Sequence, residues 1–210
     1  MRSIVIAVDG PAASGKGTIA RALAAHYGLP HMDTGLLYRA VALNLMRFGG
    51  DPGNVFEAVR ACDLGSVSFD DPELRSEIVG SYASRISAYP AVRAHLLDRQ
   101  RAFASQDGGA VLDGRDIGTV IAPDAQVKLF VTAAPEVRAS RRLAELTARG
   151  LNAHFDEILS DIRARDERDS GRATAPLVQA EDALLLETSE MDVAAAIAAA
   201  IALVERRWGK

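Results

Sequence analysis

The chain has 210 residues and a formal net charge of −4, and 49% of its residues are hydrophobic and 25% charged, as in ordinary globular proteins. The charge argues against general affinity for nucleic acid. The longest apolar run, Val193 to Val204, is shorter than the roughly 20 residues of a membrane helix. Cys62 is the only cysteine, so no internal disulfide can form and we expect a cytoplasmic protein. The N-terminus runs directly into a strand-like segment, so we expect no signal peptide.

The first predicted element is a buried parallel strand, because SIVIAVD, Ser3–Asp9, is an almost continuous apolar run rich in β-branched residues. A short strand is predicted after Gly28, and later strands over 110–113, 127–132 and 183–188. Helices are predicted over 16–27, 34–48, 55–61, 91–104, 135–148, 155–169 and 193–207. The stretch from Val55 to about Tyr89 is the least periodic part of the chain, and we expect short elements after the helix over 55–61. Strands that alternate with helices predict an α/β fold with a five-stranded parallel sheet.

A glycine-rich stretch, DGPAASGKGT, follows the first strand and precedes the first helix. Gly10, Gly15 and Lys16 have the Walker-A spacing, in which backbone N–H groups and a lysine bind nucleotide phosphates. The next position normally carries the hydroxyl that binds Mg²⁺, but Gly17 stands there and Thr18 comes one place later. The sequence therefore predicts a variant nucleotide site formed by Gly10, Pro11, Ala12, Ala13, Ser14, Gly15, Lys16, Gly17 and Thr18.

Arginines are unusually frequent, because only Lys16, Lys128 and Lys210 among the 24 basic residues are lysine. Base composition of the genome explains this bias as well as phosphate recognition does. Two anionic nucleotides repel each other, so a protein that brings two of them together needs several converging cations. The candidates are Arg39, Arg115, Arg141, Arg142, Arg165, Arg168 and Arg172.

Two features leave alternatives open at this point, and two others exclude a kind of site. Arg165 and Arg168 share a helical face with Asp161 and Asp169, so this helix can equally be a solvated, salt-bridged one. Asp113 can bind Mg²⁺ through water or can cap a turn. The four histidines are scattered, so we expect no metal site built from protein side chains. No Asn-Lys-x-Asp pattern occurs, which disfavours a guanine-specific switch GTPase.

The chain closely resembles the bacterial cytidylate kinases, a family of nucleoside monophosphate kinases. DGPAASGKGT, DTGLLYRAVAL, SAYPAVRAHLLDRQRAF, LDGRDIGTVIAPDAQVKLFVTA, RARDERDSGRATAPL and ADALLLETSEM match successive blocks of that family in order and spacing. The resemblance implies a P-loop kinase with a five-stranded parallel sheet flanked by helices, an acceptor-binding lobe over about 33–105 and a short lid over about 145–160. It also implies that GKGT enzymes hold Mg²⁺ mainly through nucleotides and water.

The same resemblance implies a role for each candidate site residue. Lys16, Arg115, Arg141, Arg168 and Arg172 would act on the transferring phosphoryl group, and Arg115 and Arg172 would also contact acceptor phosphate. The acceptor monophosphate would lie near Thr34, Tyr38 and Arg39. Cytosine would contact Ser84, Arg93 and Asp116, and the ribose would contact Arg165 and Asp169.

Two departures from the family pattern stand out. Thr34 replaces the commoner serine, which keeps the hydroxyl. The insertion over about 50–80 is shorter than usual, so a β-hairpin of the acceptor lobe is expected to be missing.

We therefore expect Mg²⁺-dependent phosphoryl transfer from ATP to CMP or dCMP by a monomer that binds neither membrane nor nucleic acid. The alternatives are a P-loop kinase for another monophosphate or an alcohol, and an ATP-binding module without phosphoryl transfer. No motif indicates which residues contact the adenine.

Overall fold

A computed structural model describes residues 4–65 and 67–209. One compact unit contains the described residues up to Met32 together with those from Ala104 onward, and the second contains Asp33–Phe103. Ser3, Ser66 and Lys210 lie outside the described residues, so the predicted start of the first strand at Ser3 cannot be compared.

The centre of the first unit is a five-stranded sheet with strand order β2-β3-β1-β4-β5. Its strands are β1 (Ile4–Asp9), β2 (His31–Asp33), β3 (Gly109–Gly114), β4 (Val127–Thr132) and β5 (Leu184–Glu187). Parallel ladders join β1 to β3, β1 to β4 and β4 to β5. The predicted α/β fold with a five-stranded parallel sheet is confirmed.

Eight α-helices lie among the described residues: α1 (Lys16–Tyr27), α2 (Thr34–Arg47), α3 (Val55–Arg60), α4 (Glu77–Ile86), α5 (Pro90–Ala104), α6 (Pro135–Ala148), α7 (Phe155–Gly171) and α8 (Val193–Trp208). Seven of them match predicted helices to within two residues at each end. Helix α4 and a 3₁₀ turn at Pro72–Arg75 lie where short elements were expected without type or bounds, and a single π-helical turn at Ile117–Ile121 was not predicted. None of the described helices has the length and apolarity that crossing a membrane requires.

Strand β1 is central, and its composition follows from that position. Ile6, Ala7 and Val8 have no exposed surface, because both faces of a parallel sheet are covered by helices. One face packs against a cluster to which α1 contributes Leu23 and α8 contributes Val204. Since β1 ends at Asp9 in the middle of the sheet, the loop that follows it lies at the carboxyl edge, where ligands of open α/β sheets bind.

The described residues of the second unit form helices joined by loops, with no strand beyond Asp33 at the end of β2. Helices α2 and α4 pack together, with Val41 and Leu45 of α2 and Val79 and Ile86 of α4 buried. The segment in which the family's β-hairpin was expected to be missing thus contains α3, the 3₁₀ turn and the beginning of α4.

Candidate active site

The glycine loop, residues 10–15, connects β1 to α1 in a conformation that demands small residues. A Cβ on Gly10 would lie only 2.0 Å from the carbonyl oxygen of Val131. Gly15 has a φ of 88°, in the left-handed region that favours glycine. Gly15 is also the N-cap of α1, and no side chain makes a capping hydrogen bond there. The N-terminus of α1 therefore has no side-chain cap, and the positive end of its dipole favours an anion beside the loop.

Lys16 projects over this loop from the first residue of α1. Its Nζ donates to the carbonyl oxygen of Pro11 at 3.4 Å. The ammonium also interacts electrostatically with Asp9 and with Asp169. Lys16 thus places its positive charge beside the loop, as the Walker-A spacing predicts.

The structure clarifies the position where the Walker-A hydroxyl is missing. A Cβ on Gly17 would lie 3.6 Å from Oδ2 of Asp113, which is ordinary van der Waals contact. The hydroxyl of Thr18 instead accepts a hydrogen bond from Arg21 at 3.3 Å. The side of the helix where a Walker-A hydroxyl would project therefore faces the carboxylate of Asp113.

Asp113 itself is buried in β3, with 2% of its surface exposed. Its Oδ1 lies 2.8 Å from Nε2 of His31, at the start of β2. The sequence left open whether Asp113 binds Mg²⁺ through water or caps a turn, and it gave no role to His31. The two side chains form a pair inside the first unit, with Oδ2 of Asp113 directed towards Gly17.

Asp9 fixes the segment that follows β3. Its carboxylate accepts hydrogen bonds from the backbone N–H groups of Ile117 and Gly118, each at 2.8 Å. Burial raises the pKa of Asp9 to about 6, although the two N–H groups oppose the rise and nearby Asp116 adds to it. This anchor holds the π-helical turn, and with it the preceding Asp116, against the end of β1.

Several of the predicted cations lie around Asp169, which α7 contributes. Nε of Arg115 donates to Oδ2 of Asp169 at 2.7 Å. Burial tends to raise the pKa of Asp169, but the positive charges of Arg115, Arg172 and Lys16 outweigh it and hold this pKa below its ordinary value. Arg115, Arg172 and Lys16 therefore surround one buried carboxylate.

Arg165 belongs to the same group of charges. Its side chain is only 15% exposed, and it lies 3.5 Å from Asp161. Burial lowers the pKa of Arg165, Asp161 opposes this, and Arg115, Arg168 and Arg142 lower the pKa further. A fully solvated helix is therefore the wrong interpretation at Arg165 and at the buried Asp169, although Arg168 is exposed. Six cations, counting Lys16, form what we call the cationic cluster: Lys16, Arg115, Arg142, Arg165, Arg168 and Arg172.

A cavity of about 590 Å³ opens beside the glycine loop, and the sequence gave no indication of it. The cavity lies within the first unit. It is lined by Ala13, Ser14, Gly15, Thr18, Ile19, Arg141, Arg142, Glu145, Thr188, Met191, Asp192, Val193 and Ala196. Its residues come from the loop, α1, α6, the segment after β5 and α8, so only the folded chain brings them together.

Arg141 forms part of the wall of this cavity. Its Nη2 donates to the carbonyl oxygens of Thr188 at 2.6 Å and Met191 at 3.3 Å, and its Nη1 donates to Oγ1 of Thr188 at 3.1 Å. The guanidinium thus holds the segment after β5. Its predicted closure over the transferring phosphoryl group stays a prediction.

The other predicted acceptor residues lie in the second unit. Thr34, Tyr38 and Arg39 are on α2, Ser84 on α4 and Arg93 on α5. The guanidinium of Arg93 lies 5.6 Å from the ring centre of Tyr38. Arg39 donates to the carbonyl oxygens of Leu74 at 2.8 Å and Ser76 at 3.2 Å. The unit therefore brings Tyr38 and Arg93 together, while Arg39 is held against the 3₁₀ turn.

Comparison with known proteins identifies the family. A family model for cytidylate kinase matches residues 6–206. A cytidylate kinase from Xanthobacter autotrophicus is 60% identical over 207 residues, covering 97% of this chain and 98% of that protein. A cytidylate kinase from Caulobacter is 54% identical, with coverage of 99% and 98%. A solved structure from Eubacterium ventriosum, described as an uncharacterized protein, has the same fold, with a TM-score of 0.60, 16% identity and coverage of 98% and 100%.

These relatives are similar to the chain over nearly its whole length, so the resemblance in the sequence blocks is confirmed. Family members use ATP and Mg²⁺ to phosphorylate CMP and dCMP. The chain belongs to the cytidylate kinase family.

Proposed function

We propose that the loop over 10–18 binds the phosphates of ATP and that the cationic cluster stabilises the γ-phosphoryl group during its transfer to CMP or dCMP. The observation that carries this assignment is the set of cations around Asp169, with Lys16 of the loop in electrostatic range of that carboxylate. A cluster of like charges, five of which are partly buried, is unfavourable in itself. An anionic ligand of several charges compensates for it, which supports a polyphosphate at this place.

Phosphoryl transfer requires correctly positioned substrates and nearby positive charge rather than a general base. A phosphate oxygen of CMP is already nucleophilic, so no side chain has to remove a proton before it attacks the γ-phosphorus in line. Lys16, Arg115, Arg168 and Arg172 would neutralise charge on the transferring group. Asp169 keeps Arg115 in one orientation through the 2.7 Å hydrogen bond.

The side chains present fit a magnesium ion that is held largely by nucleotide. No group of three or more acidic, histidine or cysteine side chains suited to a metal occurs in residues 4–65 and 67–209. Mg²⁺ usually keeps several waters and needs one or two carboxylates beside substrate phosphates. Asp113, whose Oδ2 is directed towards Gly17, is the carboxylate we assign to this role. When bound, Mg²⁺ neutralises charge on the β- and γ-phosphates.

For the acceptor we propose the residues that the family resemblance indicates. In the second unit these are Thr34, Tyr38, Arg39, Ser84 and Arg93. In the first unit they are Arg115, Asp116, Arg165, Asp169 and Arg172. Asp116 is buried at 4% exposure, and a carboxylate accepts from the amino group of cytosine but repels the carbonyl oxygen of uracil.

We assign the adenosine part of ATP to the 590 Å³ cavity, because it adjoins the loop and has the size of a small-molecule site. Ala196 of α8 lines it and is buried. Ala196→Leu fills part of the cavity and is expected to raise KM for ATP about tenfold while KM for CMP stays within a factor of two. Ala198→Leu, at an exposed position of the same helix, is the control. Equal KM values for ATP in both variants would show that the adenosine binds outside this cavity.

A nucleotide panel tests the function as a whole. Purified protein with ATP and Mg²⁺ should release ADP when CMP or dCMP is added, and much less with UMP, AMP or shikimate. Faster turnover of another acceptor would support a different P-loop kinase. ATP binding without ADP release on addition of CMP would support a binding module, and Lys16→Met serves as the inactive control.

The remaining proposals concern the localisation, the oligomeric state and the partners of the enzyme. We propose a cytoplasmic monomer, since CMP and ATP are cytoplasmic metabolites and Cys62 alone provides no disulfide. The net charge of −4 supports the absence of a nucleic-acid partner. Sedimentation of the purified protein tests the monomer.

A further inference from the structure

Arg138 is a buried arginine that neither the sequence motifs nor the family blocks identify as functional. It lies in the first turn of α6 and is 3% exposed. Its Nε donates to the carbonyl oxygen of Ala133 at 2.8 Å, and its Nη1 donates to the carbonyl oxygen of Ala12 at 3.2 Å. Ala12 belongs to the glycine loop, so the side chain of Arg138 joins the beginning of α6 to that loop.

The same guanidinium makes a two-pronged ion pair with Asp166 of α7. Nη1 donates to Oδ1 at 3.0 Å, and Nη2 donates to Oδ2 at 2.6 Å. Planar arginine matches a carboxylate in this way, which fixes direction as well as distance. Asp166 follows Arg165 directly and precedes Arg168 by two residues, so the pair anchors the part of α7 that carries these members of the cationic cluster.

The contact with Ala12 controls the direction of one peptide group. In a trans peptide the C=O and the following N–H point in opposite directions. Arg138 holds the carbonyl of Ala12, and the N–H of Ala13 is therefore directed away from Arg138. Ala13 has a φ of 58°, a left-handed conformation that is unfavourable for a residue other than glycine. Such conformations persist where surrounding contacts enforce them.

We propose that Arg138 is a positioning residue for ATP: it fixes the Ala12–Ala13 peptide so that the N–H of Ala13 faces the nucleotide phosphates. Through Asp166 it also keeps the glycine loop and α7 in one arrangement. Ala13 lines the cavity beside the loop, which agrees with an N–H directed towards the ligand. The inference rests on the proposed binding of ATP phosphates in the loop.

Calorimetric titration with ADP and, separately, with CMP tests this role without turnover. Arg138→Met removes the contacts with Ala133, Ala12 and Asp166 and should weaken ADP binding about three- to tenfold, the effect of one lost hydrogen bond, while CMP affinity falls by a smaller factor. Arg138→Lys keeps the charge but cannot serve the carbonyl and the carboxylate together, so it should weaken ADP binding as well. Arg163→Met is the matched control, because Arg163 of α7 pairs with Glu136 of α6 at 2.7 Å on the exposed surface. It should leave both affinities unchanged.

Asp166→Asn separates the contact of Arg138 with α7 from its contact with the glycine loop. It leaves the bond to Ala12 and loosens α7, so ADP affinity should persist while kcat falls. A purely structural Arg138 would lower the melting temperature and leave the ratio of ADP to CMP affinity unchanged, which would overturn the inference. If Arg138→Met does not fold, wild-type ADP affinity in Arg138→Lys overturns it. If Lys16→Met binds ADP more weakly but both Arg138 variants bind it normally, only the role of Arg138 is rejected. If Lys16→Met binds ADP normally, the proposed phosphate site is rejected, and this inference with it.

Discussion

Arg115 and Asp169 form a partly buried ion pair, with 2.7 Å between Nε and Oδ2 and side-chain exposures of 25% and 9%. The arginines and Lys16 near Asp169 outweigh its burial and lower its pKa. A carboxylate with a lowered pKa in the folded state stabilises the fold above its unfolded-state pKa of about 4, and this stabilisation is lost as the pH falls through the folded value.

Asp169→Asn should therefore flatten the acid limb of the stability profile. The free energy of unfolding of the wild type should exceed that of the variant at pH 7, and the difference should shrink below about pH 4. Urea titrations at pH 3, 5 and 7 measure this. A difference that stays constant over the whole range would show that the charges around Asp169 do not depress its pKa.

Asp9 should give the stability the opposite pH dependence. Burial raises its pKa from 3.8 to about 6, so the folded state binds a proton more strongly than the unfolded chain. The stabilisation linked to this proton is fully present below pH 3.8 and is lost as the pH rises through about 6. Two pKa units correspond to roughly 3 kcal/mol.

Asp9→Asn should remove this dependence at the cost of one acceptor for the N–H groups of Ile117 and Gly118. The stability of the wild type relative to the variant should then decrease from pH 4 to pH 7 by up to about 3 kcal/mol. Urea unfolding of both proteins at these two pH values provides the measurement. An increase over that interval would mean that the two backbone donors outweigh burial and hold the pKa of Asp9 below its unfolded-state value.

Gly10 and Gly17 should respond differently to the same substitution. Gly10→Ala places a Cβ 2.0 Å from the backbone oxygen of Val131, which cannot move without disturbing β4. We expect a loss of at least about 3 kcal/mol of stability, as in overpacked cores. Gly17→Ala meets only ordinary contacts at 3.6 Å, so stability should stay within about 1 kcal/mol of the wild type. Thermal unfolding of both variants tests this contrast, and similar melting temperatures would contradict it.

Much of the fold could be predicted because its signals are local. Strand β1, the glycine loop and α1 are consecutive, and each is encoded by its own residues. Helix α4 was missed because it is only ten residues long and carries Gly80, a poor helix former, in its interior. The π-helical turn was missed because its anchor, Asp9, is more than 100 residues earlier in the chain.

The candidate site likewise has parts that the sequence predicts and parts that it does not. The loop and the arginines stand in recognisable blocks, so their residue types and order indicate phosphate chemistry. Pairs such as His31 with Asp113 or Arg138 with Ala12 join residues 82 and 126 positions apart. No periodicity or spacing reports such contacts. The same holds for the cavity beside the loop, whose walls come from five separate segments.

Lys16 and Thr18 should differ in their importance for turnover. Lys16→Met removes a charge that acts on the transferring group, and loss of one such donor typically lowers kcat about 10²- to 10³-fold. Thr18→Ala should lower kcat about tenfold or less, because Mg²⁺ bound through phosphates and water does not depend on this hydroxyl. Coupled ADP release with CMP measures both. Equal losses would show that Thr18 takes over the role of the Walker-A hydroxyl despite its displaced position.

Arg165 should distinguish CMP from dCMP if it reaches the ribose. Its side chain is mostly buried, and no hydrogen-bond partner for its Nε occurs among the described residues, so a polar substrate group is a suitable acceptor. The two substrates differ only in the 2′-hydroxyl, and only a contact that senses it changes the ratio of their kcat/KM values. A lost hydrogen bond to a charged group corresponds to about a ten- to hundredfold loss. Arg165→Ala should therefore lower kcat/KM for CMP more than for dCMP.

Asp169→Ala is the matched comparison for this test, since Asp169 lies one helical turn from Arg165 and orients Arg115. The proposed contact of Asp169 is with the 3′-hydroxyl, which both nucleotides carry, so both kcat/KM values should fall by similar factors. Parallel assays with CMP and dCMP on the two variants give the required ratios. An equal loss on both substrates in Arg165→Ala would place Arg165 with the phosphates rather than the sugar. Near-wild-type values in both variants would mean that this face of α7 serves only the fold, because neither a sugar contact nor the orientation of Arg115 could then depend on it.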